Sequence, residues 1–126
     1  MVTDPIANML INIKNCQMVG RKSLKLDYSK SKEAIAKILT DYGYLDNSKI
    51  IGNYPKKYIE LYLSNKPIIH MKLLSKPGHR MYRGSRYIPR PLRGQGLVII
   101  STSRGIMSGK EATKHGIGGE LICEVF

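Results

Sequence analysis

The sequence predicts an α+β fold: a small α/β amino-terminal lobe, ordered helix-strand-helix-strand-strand, then a mainly β carboxy-terminal lobe with one short helix. Three observations predict it. Two long amphipathic helical patterns fall before residue 43, alternating or continuous apolar runs suited to strands dominate afterwards, and the polar stretch Ser64-Asn65-Lys66-Pro67 interrupts the pattern midway. The lobes are expected to span 1–64 and 65–126.

The first helix is expected over 5–18. Asp4 is a suitable N-cap, Pro5 suits the first turn, Ile6, Met9, Leu10 and Ile13 share a face, and Gly20 ends it. Leu24 and Leu26 alternate within 23–27, which reads as a strand. A second helix is expected over 30–42, capped by Ser29, closed by Gly43 and buried along Ile35, Ile38, Leu39 and Tyr42. Strands 44–51 and 57–63 follow, joined by a turn containing Asn53 and Pro55. In the latter, Ile59, Leu61 and Leu63 should face the core, with Tyr58, Glu60 and Tyr62 opposite.

Beyond the break, 68–74 reads as a strand, followed by the turn Lys76-Pro77-Gly78 and a short strand through Tyr82. An arginine-rich loop with Pro89 and Pro91 leads to the apolar strand 97–100. Ser108-Gly109-Lys110-Glu111 is a capping box that starts the short helix. Gly116 ends that helix, and 121–126 is the last strand.

Composition excludes several classes of function. No apolar run reaches the roughly 18 residues of a membrane-spanning helix. The start, MVTDPIANML, carries an acid and a proline where a secretory signal carries positive charge, so a chain retained in its compartment is expected. Cys16 and Cys123 stand too far apart to make a disulfide framework, and two isolated thiols fit a reducing cytoplasm. His70, His79 and His115 lack partners at ligand spacing, so no metal site is expected. Ser101-Thr102-Ser103-Arg104-Gly105 lacks the leading glycine of a nucleophile elbow, and Gly94-Gln95-Gly96 is not followed by the Gly-Lys-Ser/Thr of a phosphate loop. Neither an enzyme nor a cofactor is expected.

Charge is the positive clue. The 126 residues hold 21 Lys plus Arg against 9 Asp plus Glu, a net +12. No acid lies between Leu61 and Lys110, a span with ten basic residues. A one-sign field of this kind points to a polyanion rather than to general solubility, the alternative being a basic surface without a specific partner. Lys76, Arg80, Arg83, Arg86, Arg90 and Arg93 are interleaved with Tyr82 and Tyr87. Guanidinium groups clamp phosphates and stack on bases, and tyrosine rings offer a face to an unstacked base. Packing in the core or across strands is the other reading for each tyrosine.

Two further segments have small side chains. Ser101, Thr102 and Ser103 place three hydroxyls between an apolar strand and a capped helix, where they suit ribose hydroxyls and base edges in a shallow RNA groove. Gly118 and Gly119 precede Glu120 in what reads as a tight turn that lets backbone approach RNA. Ordinary turns with backbone-capping hydroxyls are the alternative in both places.

The order of motifs resembles a known family. Asp4-Pro5-Ile6-Ala7-Asn8-Met9-Leu10, Ser29-Lys30-Ser31-Lys32, Ser75-Lys76-Pro77-Gly78, Ser101-Thr102-Ser103-Arg104-Gly105-Ile106-Met107 and Gly118-Gly119-Glu120 are similar, in order and spacing, to those of the bacterial-type small-subunit ribosomal protein S-eight family. The resemblance covers essentially the whole chain. It implies a structural constituent of the ribosome that binds the central domain of small-subunit rRNA early in assembly of the platform. Its RNA surface would comprise Ser101, Thr102, Ser103, Arg104, Gly105, Gly118, Gly119 and Glu120. Backbone contacts would come from Thr3, Asp4, Ser29, Lys30, Ser31, Lys32, Lys76, Pro77, Gly78, Arg80, Tyr82, Arg83 and Arg86. Neighbouring proteins S-five and S-twelve would be partners. A translational repressor binding an mRNA of its own operon that mimics the rRNA site is the alternative. The ribosome would be that of the bacterial cytoplasm, or of a chloroplast or mitochondrion.

Overall fold

A computed structural model describes residues 5–53, 55–76, 78–91 and 95–126. The chain forms two compact units that divide after Ile68. The division falls past the polar break because that segment is tied back to the first unit. The Gln17 side chain accepts from the Ile68 N–H at 3.0 Å and donates to the Lys66 carbonyl at 3.2 Å, while Lys66 Nζ donates to the Tyr42 carbonyl.

In the first unit, α1 (Pro5–Met18) buries Ala7, Met9, Leu10, Ile13 and Cys16, while Ile6 is only half-buried. Asp4, the expected cap, lies outside the described residues. Gly20 ends the helix at φ +78, and Arg21 N–H donates back to the Cys16 carbonyl. After β1 (Ser23–Asp27), α2 (Lys30–Asp41) begins at Ser29, whose side chain accepts from the Lys32 N–H at 3.1 Å. Ile35, Ala36, Ile38 and Leu39 are buried, and Tyr42 is the half-buried cap before Gly43 at φ +85. The strands β2 (Leu45–Asn53) and β3 (Lys56–Leu63) complete an antiparallel sheet ordered β1-β3-β2. Ile59, Leu61 and Leu63 line its buried face, so the period-two alternation places this strand correctly.

The second unit is a five-stranded antiparallel sheet. The strands β4 (Met71–Leu73) and β5 (Tyr82–Arg83) share one edge of β8 (Gly119–Val125); β6 (Leu97–Thr102) lies on its other side and then β7 (Gly105–Ser108). The 3-10 turn Ser85–Tyr87 and α3 (Gly109–Lys114) contribute to a core in which Ile88, Val98, Ile100, Ala112 and Leu121 cluster. The Ser108 side chain accepts from the Glu111 N–H at 3.3 Å, as the capping box requires, and Gly116 follows at φ +68.

Three expectations need correction. The 68–74 strand contracts to Met71–Leu73, flanked by His70 and Phe126, which exchange backbone hydrogen bonds, and by the Leu74 N–H, which donates to the Ile122 carbonyl, while the Ile69 N–H also goes to the Phe126 carbonyl. The 101–105 segment does not run straight into the helix. Ser101 and Thr102 end β6, and the chain reverses through Ser103 and Arg104 into the unexpected strand β7. Gly119 and Glu120 are strand residues of β8, not a turn.

Cys123 is fully buried on β8, and burial pushes its thiol up to about 12, with the Glu124 charge adding and an Ile99 backbone hydrogen bond opposing. The folded value exceeds the ordinary one near 9, so the neutral thiol's contribution is complete below about pH 9 and is lost as pH rises toward 12. Urea unfolding at about pH 8 and about pH 10.5 should show a loss of stability that a Cys123→Ala variant shows less of. Equal losses in both proteins would refute the assignment.

Candidate nucleic-acid interface

Strand register assembles the surface. Arg83 is opposite Gly119, Gly119 opposite Thr102, and Thr102 opposite Gly105. The adjacent row is Tyr82, Glu120, Ser101 and Ile106. Three segments far apart in sequence, β5, the β6–β7 hairpin and β8, thus meet at one end of one sheet.

Gly118 and Gly119 make this meeting possible. A Cβ on Gly119 would run into the Ser101 carbonyl and come within 3.1 Å of the Thr102 Cα; one on Gly118 would overlap the Arg83 carbonyl and lie 2.7 Å from the Gly84 Cα. The close approach these glycines permit is to neighbouring strands. They let β5, β8 and β6 come together.

At the hairpin tip, the Thr102 hydroxyl donates to the Gly105 carbonyl at 2.8 Å and accepts from the Arg104 N–H at 3.1 Å. Gly105 closes the turn at φ +108. The Thr102 proton is committed to the fold, leaving its oxygen able only to accept further. Ser103 and Arg104 are exposed at the tip. The two hydroxyls are thereby separated in role. Thr102→Val should lower stability by about 1–2 kcal/mol, the net value of its two hydrogen bonds. Ser103→Ala should leave the melting temperature unchanged while weakening cognate RNA about fivefold, on the scale of one net hydrogen bond. Calorimetry and filter binding on the same preparations check both, and a destabilised Ser103 variant with intact affinity would reverse the assignment.

The flanking residues are cationic. Arg80 Nη1 lies 3.5 Å from Glu120 Oε2, both side chains being partly exposed, so the acid is held inside a basic field. Arg83 Nη1 donates to the Tyr82 carbonyl. Tyr82 and Tyr87 are 64% and 74% exposed, which rules out the core-packing alternative and leaves their rings open. Arg86 sits on the 3-10 turn rather than in an irregular loop, and is exposed. Lys76 and Gly78 form a separate turn in which Lys76 and His79 exchange backbone hydrogen bonds, both 2.9 Å, with Gly78 at φ +82. Ser75 belongs to the family-like motif but not to the expected contact residues. It is buried, and its hydroxyl accepts from the Met81 N–H at 2.8 Å, fixing the base of this turn.

Ser29, Lys30, Ser31 and Lys32 belong to the first unit and start α2. Thr3, Asp4, Pro77 and Arg93 lie outside the described residues. Among the described residues, no three His, Cys, Asp or Glu side chains gather in a way that would hold a metal ion.

Fold and surface define a class: a two-unit α+β protein with a cationic, hydroxyl-bearing sheet end. Comparison with known proteins then narrows it. The family model described as Ribosomal protein S8 matches residues 4–126. The small ribosomal subunit protein uS8 of Dictyoglomus turgidum is 50% identical over 129 aligned positions, which cover 99% of this chain and 98% of that protein. The corresponding proteins of Thiobacillus denitrificans and Bordetella avium are 41% and 40% identical, each over 98% of both chains. The chain belongs to the ribosomal protein S8 family. It is a ribosomal structural constituent of an RNA-binding family, not an enzyme.

Proposed function

We propose that the chain binds the central domain of small-subunit rRNA directly and helps to assemble the platform, beside neighbouring small-subunit proteins such as S-five and S-twelve in the bacterial cytoplasm. The observation that carries this reading is the register that gathers Ser101, Thr102, Ser103, Arg104, Glu120, Tyr82 and Arg83 at one sheet end. Arginines position the protein on phosphates, while hydroxyls and the lone carboxylate meet groove edges and 2′-hydroxyls. The second unit supplies discrimination because its contact atoms sit on paired strands, whose geometry is fixed by the ladder. Lys76, Gly78, Arg80 and Arg86 add backbone contacts, as do Ser29, Lys30, Ser31 and Lys32 from the first unit.

Co-sedimentation with small subunits, followed by sequencing of crosslinked RNA, tests the reading. Crosslinks should concentrate in the central domain of the rRNA. Crosslinks confined to an mRNA would instead identify a translational repressor, and crosslinks spread over unrelated RNA would defeat both.

A further inference from the structure

The second unit carries an aromatic ring that its fold mounts firmly but does not bury. Tyr87 closes the 3-10 turn that follows β5, its N–H donating to the Gly84 carbonyl at 3.0 Å. The next residue, Ile88, is buried in the core with Val98 and Leu121, and a Cβ on Gly109 would stand 2.9 Å from its Cγ2. Pro89 keeps Ile88 extended, at φ −70 and ψ 127. At the other end of the turn Gly84 rests on Gly118, where a Cβ would stand 2.7 Å from the Gly84 Cα. The turn is therefore pinned on both sides, yet Tyr87 is 74% exposed on it. A Cβ on Gly84 would lie 3.9 Å from Tyr87 Cδ2, so the ring edge sits beside the Gly84 backbone. The ring is thus carried at the margin of the row formed by Arg83, Gly119 and Thr102.

Folding makes no use of this ring. In the first unit Tyr28, Tyr44, Tyr58 and Tyr62 each hold a lysine ammonium between 4.1 and 5.6 Å from the ring centre. Among the described residues, no cation covers the Tyr87 ring and no group hydrogen-bonds its hydroxyl. Apolar surface left in water contributes nothing to stability. The surroundings have one sign: Arg83, Arg86 and Arg90 are exposed, and the nearest acids in sequence are Glu60 and Glu111.

We infer that Tyr87 is a base-stacking residue, its ring receiving one unpaired base of the bound RNA while Arg86 takes a flanking phosphate. The inference rests on the rRNA-binding reading above and adds to it a contact that recognises a single-stranded feature. Every base offers a π face once it leaves its helix, whereas a continuous duplex keeps those faces stacked. A ring on a pinned turn has little freedom left to lose when a base stacks on it. The arginines around it suit a partner that carries a phosphate at every base.

The test uses the full chain, a central-domain fragment of small-subunit rRNA, and an unrelated RNA duplex of equal length. Tyr87→Ala should weaken the rRNA fragment about 10- to 100-fold, the range for one base stacked on an aromatic ring, and leave the duplex unchanged. The plot of log affinity against log salt should keep its slope, whereas Arg86→Ala should make it shallower by about 0.7–0.9. Tyr87→Phe should retain affinity because it keeps the ring, and Tyr87→Leu should behave like the alanine variant. The chain contains no tryptophan. Tyr87→Trp therefore introduces a single indole, whose fluorescence should be quenched by the rRNA fragment and not by the duplex. Thermal melting checks that each variant folds, and the leucine variant carries the comparison if the alanine variant does not. A folded alanine variant with unchanged affinity overturns the stacking role while the rRNA reading stands, and so does a leucine variant that binds as well as phenylalanine. If the unsubstituted chain fails to prefer the rRNA fragment, the rRNA reading itself falls. A photocrosslinker at position 87 that captures protein instead of RNA in reconstituted subunits would also overturn the inference.

Discussion

RNA affinity should fall about 250- to 1000-fold when monovalent salt is raised fourfold, from about 50 to about 200 mM, corresponding to a log–log slope of roughly −4 to −5. That slope is the signature of about six neutralised phosphates. The acid-free span from Leu61 to Lys110 motivates it, and the structure adds a reason to expect the full effect. Among the described residues, Arg80 is the only Lys or Arg whose side chain lies within ion-pair distance of a carboxylate. The other described cations have no internal ion pair to break before meeting RNA. Filter binding across that range decides the matter, and a response that is nearly flat would remove electrostatics as the main source of affinity.

Gly119→Ala should lower stability by about 3 kcal/mol, the upper range for overpacking a site that cannot relax. The added carbon would overlap the Ser101 carbonyl, and a backbone atom paired in the same ladder has no rotamer with which to retreat. Relief requires β6 and β8 to separate, which exposes Ile100 and Leu121, both essentially inaccessible in the folded chain. Gly116→Ala is the contrast. Nothing lies within 4 Å of its new carbon, so only the cost of φ +68 remains, about 1–2 kcal/mol. Urea denaturation of the two variants should rank them in that order. The Gly119 variant should also lose cognate RNA, since the row containing Thr102 and Arg83 depends on this strand pairing, and the Gly116 variant should not. Equal stability of the two would show that the sheet can open at Gly119 without penalty.

Local chemistry was readable where a short segment dictates its own conformation. The helix over Pro5–Met18, the Ser29 and Ser108 caps, and the buried alternation Ile59, Leu61, Leu63 all follow from neighbours within a few residues of one another. The hairpin of β6 and β7 was hidden for the opposite reason. Its turn uses the Thr102 side chain as a backbone partner, the capping role that the sequence leaves open as an alternative, but no local pattern shows that the chain then reverses into a strand. The glycines before Glu120 read as a turn but lead into β8, because a missing side chain records that something comes close and not what.

The sequence by itself determined the α+β class, the cationic character and the motifs that resemble the family to which the chain belongs, because composition and short-range spacing carry those properties. Only the tertiary structure decided which residues act together. Strand register placed Arg83 in one row with Gly119 and Thr102, and it set β3 between β1 and β2, so that Lys25 and Lys49 both face Glu60. Such pairings depend on hydrogen bonds between segments tens of residues apart, and no local pattern encodes their partner. The hydroxyls of Thr102 and Ser103 show the same limit at atomic scale. They are adjacent and chemically alike in sequence, yet the folded hairpin turns one inward to hold the turn and leaves the other exposed at the tip.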